Sequence, residues 1–149
     1  MACALNSLSA RLAVQNRTVE AGEMDLLRQL RETWTIAEDH ETAAVMDGIL
    51  ADEIQHVRFA NQWLHRFAHE PQAVMQMAAA LNFAGGVMRA LQPQPGERSL
   101  DNVELAAVDH AIEVNTEDRH RAGFTQAEIA DLVRQGRSSD LKSQSHTES

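Results

Sequence analysis

The sequence predicts an all-α chain, on three observations. Apolar residues make up 44% of it, with Ala, Leu and Met prominent, while strand and turn formers are scarce: 7 Gly, 3 Pro and no Tyr. From His40 to Phe67 there is no Pro, and apolar residues recur every three or four positions. Helix-start signals stand at Asp39, Pro71 and Thr125. The 149 residues suffice for one domain with its own core. We place that domain at 1–135 and a disordered polar tail at 136–149.

Residues 4–20 read as a first helix, with Leu5, Leu8, Leu12 and Val19 near one face. Gly22 is expected to punctuate it, and a short helix follows from Met24 to Ile36, carrying Met24, Leu27, Leu30 and Trp34. Asp39 is the expected N-cap of the longest helix, His40 to Phe67, a rod of roughly 42 Å at about 1.5 Å per residue. His69-Glu70-Pro71 ends it, and Pro71 opens a further helix at its first turn. That helix runs to Leu91 and is rich in Ala and Met. Met75, Met77 and Met88 serve as packing material, and Gly85-Gly86 either weaken it or allow close packing.

Gln92 to Ser99, QPQPGERS, is a loop. Asp101 to about Arg119 is helical by period (Val103, Ala106, Ala107, His110, Val114), and Gly123 breaks it. Thr125 and Glu128 form a capping box that opens a last helix with Ile129, Leu132 and Val133. From Gly136 the chain is Ser-rich, without an aromatic residue, and disorder is expected.

Charge narrows the function classes. The net charge is −9, and Lys142 is the only lysine, so no basic face is available for nucleic acid. Cys3 is alone, which excludes an intrachain disulfide framework and a thiolate metal cluster. The start, MACALNSLSARLAV, lacks a charged leader region. The longest apolar stretch, Ala73 to Leu91, is interrupted by Gln76, Asn82 and Arg89, so no membrane span is read. A reducing cytoplasm is the expected compartment.

One stripe of the long helix carries the functional signal: Thr42, Met46, Ile49, Glu53, His56, Ala60, Trp63, Phe67. It reads as the face packed on neighbouring helices. A carboxylate and an imidazole within it would be costly without partners. Three residues apart, Glu53 and His56 share a face and could converge on one ion. Di-iron and di-manganese bundles take a Glu from each of two helices and a Glu-x-x-His from each of two others. The alternative is a buried Glu–His ion pair, and the spacing alone is weak, since Glu117 and His120 repeat it.

The stretch ETAAVMDGILADEIQHVRFANQWL, residues 41–64, resembles the ferritin-like family catalogued as domain of unknown function 455. It keeps Glu41-Thr42-Ala43, Asp52-Glu53-Ile54, His56-Val57 and Trp63, with Ala60 where that family usually has Gly. Thr18-Val19-Glu20-Ala21 with Met24-Asp25 resembles an upstream family segment, with Gly22-Glu23 in place of its Arg-Gly. Asn115 to Phe124 and on to Glu128 resembles its ending. The resemblance spans roughly 12–133. It implies a ferritin-like bundle in which Glu53 and His56 are metal ligands and Glu20 adds a carboxylate from the neighbouring helix. It also implies that this chain corresponds to the C-terminal half of the family's bundle, without the helices that carry the other Glu and Glu-x-x-His.

The helix at 71–91 has no Asp or Glu to fill that gap. The 101–119 stretch offers Glu104, Asp109, His110, Glu113, Glu117 and His120, read first as a solvated acidic face. Symmetry is the leading solution: a homodimer would join two Glu20 and two Glu53–His56 sets around two Fe or Mn ions. A partner chain carrying the other half-bundle is the variant. His65 and His69 are read as helix-end residues, Trp34 and Trp63 as core or interface anchors. Asp52 is either exposed or orients His56 of a dimer mate. The leading functional expectation is an oxygen- or peroxide-using oxidoreductase. The alternatives are metal oxidation or storage, and a non-catalytic helical interaction subunit.

Overall fold

The computed structural model describes residues 5–91 and 113–144, with side-chain environments described to 90 and from 113 to 135. All its elements are helical: α1 (Leu8–Arg11), a π-helical segment (Leu12–Glu20), α2 (Ala21–Ile36), α3 (His40–Phe67), α4 (Pro71–Leu91), α5 (Thr116–Arg121) and α6 (Gln126–Gln144). No strand occurs among the described residues. The loop expected at 92–99 and most of the helix expected at 101–119, with Glu104, Asp109 and His110, lie outside them.

Gly22 does not punctuate the first helix. α1, the π-helical segment and α2 follow one another without a break, and an added Cβ at Gly22 would meet nothing within 4 Å. A single glycine costs a helix only about 1 kcal/mol, which packing on α3 overrides. Ser7 caps the start by accepting from the Ala10 N–H at 3.2 Å. The turn at the far end places Glu38 at φ 60°, and Asp39 then caps α3 as expected, accepting from the Thr42 N–H at 3.0 Å. So short a connection makes α2 and α3 antiparallel neighbours.

α4 begins at Pro71 as expected and packs back against α1 and the π-helical segment. Small residues set that seam: Ala10, Val14 and Ala80 are buried together, with Leu5 and Ala84 against them. Leu12, Ala13, Ala60 and Leu64 close the next layer, with Trp63, Phe67 and Met77 at its edge. The main core lies on the other side of the hairpin. Ala21, Met24, Leu50, Ile54 and Val57 pack on Ala122, Phe124 and Ile129 of the C-terminal segment.

That segment departs from the expected helix. Residues 113–115 are not helical, and Asn115 opens α5, its side chain accepting from the Asp118 N–H at 3.2 Å. Gly123 ends the α5 turn at φ 86°, where a side chain would be strained. The capping box holds: the Thr125 N–H donates to Glu128 Oε2 at 2.9 Å, and the Glu128 N–H to Thr125 Oγ1 at 3.3 Å. The α6 backbone runs past Gly136, where the sequence begins to read as a polar tail.

The packed face of α3 also differs from the expected stripe. Its buried residues are Ala43, Leu50, Ile54, Val57, Ala60, Asn61 and Leu64. This face is offset by one residue, about a quarter-turn. Of the expected stripe, only Ala60 is buried, and Ile49 is 40% exposed. Ala21 and Met24 of α2, Ala122 and Phe124 after α5, and Ile129 of α6 pack on Leu50, Ile54 and Val57 and so select the buried face.

Candidate metal centre

Glu53 and His56 therefore sit beside the packed face of α3 rather than within it. The Glu53 side chain is 17% exposed and that of His56 56%. One helical turn apart, they meet as expected, with His56 Nδ1 3.3 Å from Glu53 Oε2. The premise of a buried Glu–His pair in need of rescue is thus corrected; their convergence is not.

Glu20 arrives from the neighbouring rod. It is the last residue of the π-helical segment, and that segment packs directly on α3. One atom each of Glu20, Glu53 and His56 lie within 4.8 Å of one another. Among the described residues this is the one group of three metal-ligating side chains so placed. Asn16 holds Glu20 from within the same segment, its Nδ2 donating to Glu20 Oε2 at 2.7 Å.

The remaining candidates stay apart from it. Glu117 pairs with Arg121, and His120 Nε2 lies 2.8 Å from Gln126 Oε1, so the second Glu-x-x-His is engaged locally. Glu113 is exposed ahead of α5, and His65 and His69 are exposed at the end of α3. Asp52 is exposed. Trp63 is half-buried, edge-to-face with Phe59 and tilted against Phe67, with the Arg66 guanidinium 4.8 Å from its ring centroid. Trp34 is 38% exposed.

Sequence reasoning missed a second constellation. Asp25 and Arg119 form a buried ion pair at 2.6 Å, their side chains 9% and 7% exposed. Arg119 also donates to the Ala21 carbonyl at 3.0 Å, and Asp25 Oδ1 accepts from the Asn115 N–H at 2.8 Å. Asn115 accepts from Arg28 at 2.8 Å and donates to Asp118 at 2.5 Å. The available signal was the Asn115–Asp118 spacing, an N-cap followed three residues later by an acid.

Two carboxylates and an imidazole converge at the first site, and among the described residues no Arg or Lys is bonded to any of them. Like charges this close raise each other's energy, and a cation relieves it. The donor set is hard to intermediate, suited to Fe or Mn and unlike a thiolate zinc site. An all-α chain with a carboxylate–histidine cluster between two of its helices is the class that fold and site define.

The chain belongs to the family described as protein of unknown function (DUF455), which it matches over residues 1–130. No curated protein and no solved structure matches it.

Proposed function

We propose that this chain is a non-haem metal-binding protein, a ferritin-like half-bundle whose Glu20, Glu53 and His56 hold Fe or Mn. The observation that carries this reading is the arrival of Glu20 at the Glu53–His56 pair from a different helix. Three donors leave a first-row ion with open positions. A second copy related by a two-fold axis would bring four carboxylates and two imidazoles together, the recipe of di-metal bundles.

Exposure supports the shared site. The C-terminal end of the expected α3 stripe, Ala60, Trp63 and Phe67, packs with Leu12 and Ala13 of the π-helical segment and Met77 of α4. In its N-terminal half Thr42 and Met46 are half-buried, while Ile49 is 40% exposed and Val45 beside the stripe 54%. A bound pair of such ions supplies oxygen- or peroxide-dependent oxidation, the reaction class we propose. The protein's own part is to fix the carboxylates, present the imidazole and exclude water with Ile49, Ala60 and Trp63.

The second reading is a non-catalytic helical subunit, and the exposure of His56 favours it, because a solvated Glu–His pair needs no metal. Native mass and metal content after supply of Fe and Mn separate the two. A dimer with close to two ions, lost in Glu53→Ala, supports the first. A folded protein without metal after anaerobic Fe(II) loading overturns it.

A further inference from the structure

The π-helical segment needs an explanation, because helices of this type are rare and weakly bonded, and occur mostly as short bulges at functional sites. Here it covers nine residues and ends on Glu20. A π-type turn takes in one more residue than an α-turn, so it resets which residues face α3. A one-residue slip toward α-helical register would swing Glu20 around the rod by about 100°, away from Glu53 and His56.

Arg17 is gripped by three separate parts of the fold. Its Nη1 donates to Asn61 Oδ1 on α3 at 2.7 Å. It forms an ion pair with Glu128 of α6. Its guanidinium lies 4.7 Å from the ring centroid of Phe124. Asn61 is itself fixed: it is 1% exposed, and its Nδ2 donates to the Ala122 carbonyl at 2.7 Å. Within the segment, Thr18 Oγ1 donates to the Ala13 carbonyl, five residues back, at 2.8 Å.

We propose that Arg17 and Asn16 are positioning residues for the Glu20–Glu53–His56 centre. Arg17 pins the π-helical register through Asn61, Phe124 and Glu128, and Asn16 orients the carboxylate that this register delivers. The C-terminal segment, whose described residues supply no ligand to the cluster, thereby sets its geometry. This deepens the metal reading and rests on it for its function, but its structural content can be tested without metal.

The test uses the full chain in two measurements. In the metal-free protein, NMR reads the proximity of the Glu20 side chain to the His56 ring, with Met24–Val57 proximity reporting the intact core. Titration with Co(II) alone then reads affinity and visible absorption. Arg17→Met is expected to lose the Glu20–His56 proximity, keep the core signal and weaken Co(II) binding on the order of 10- to 100-fold. Asn16→Ala is expected to keep the register and weaken binding about 10-fold, with an altered Co(II) spectrum. Should Arg17→Met fail to fold, Glu128→Gln carries the same expectation at smaller size, since glutamine still serves the capping box. Wild-type proximity, affinity and spectrum in Arg17→Met or Glu128→Gln would overturn the proposal. Wild-type protein that shows the proximity but binds no Co(II) would sink the metal reading, and the register claim would then be decided by the proximity measurement.

Discussion

Two clusters of charged side chains lie about one helical turn apart on the same rod, and they are built to opposite plans. Around Asp25, every strong donor meets an acceptor: Arg119, Asn115, Asp118 and the Ala21 carbonyl close on one another away from water. Around Glu20, two carboxylates and an imidazole converge, among the described residues with only Asn16 and one 3.3 Å contact between them, and His56 is open to solvent. A saturated network fixes a fold and has nothing left to offer a ligand. An unsaturated carboxylate–imidazole cluster adds little to stability and keeps its lone pairs for a cation.

The contrast breaks most visibly at Arg119. Arg119→Met leaves Asp25 buried without its partner and should cost about 3–5 kcal/mol in urea unfolding. Adding Asp25→Asn should recover part of that, because the uncompensated charge is the main penalty. A loss under about 1 kcal/mol would mean that the network is open to water.

Gly123 tests the same closed region through its backbone. An added Cβ would meet Asn61 Cβ at 3.8 Å, ordinary contact, so space is not the obstacle. The positive φ is, and Gly123→Ala should cost about 1–2 kcal/mol in thermal or urea unfolding.

At the open cluster the expected effect is small. Glu53→Gln removes one of two facing carboxylates, so metal-free stability should stay within about 0.5 kcal/mol of wild type, or rise slightly, while metal binding is lost. A large destabilisation would show that Glu53 is structural.

Acid sharpens the link between the two regions. Burial opposes ionisation of Glu128, but hydrogen bonds from the Thr125 N–H and hydroxyl and the Arg17 charge outweigh it and hold the carboxyl below its ordinary 4.5. A depressed folded-state pKa contributes stability above the unfolded value and loses it as pH falls through the folded one. The contribution should therefore fade below about pH 4.5, and Glu128→Gln should flatten that limb of a stability-against-pH curve.

The sequence by itself determined several of the helices. Periodicity, Asp39, Pro71 and the Thr125–Glu128 box are local signals, and α3, α4 and the start of α6 follow them. It also put Glu53 and His56 on one helix face, where they can meet, although Glu117 and His120 at the same spacing turn to Arg121 and Gln126 instead. Glu20 was legible only through the family resemblance. Three matters lay beyond local pattern: Gly22 passing unbroken, the π-helical register that delivers Glu20, and which face of α3 is buried. Each depends on residues far along the chain. Arg17 reads its register from Asn61 and Glu128, and α3 packs Leu50, Ile54 and Val57 because Ala122, Phe124 and Ile129 come back to cover them. The tertiary structure decided these because burial and ionic closure outweigh propensities of about 1 kcal/mol per residue, and one residue of rotation separates a core face from an open site.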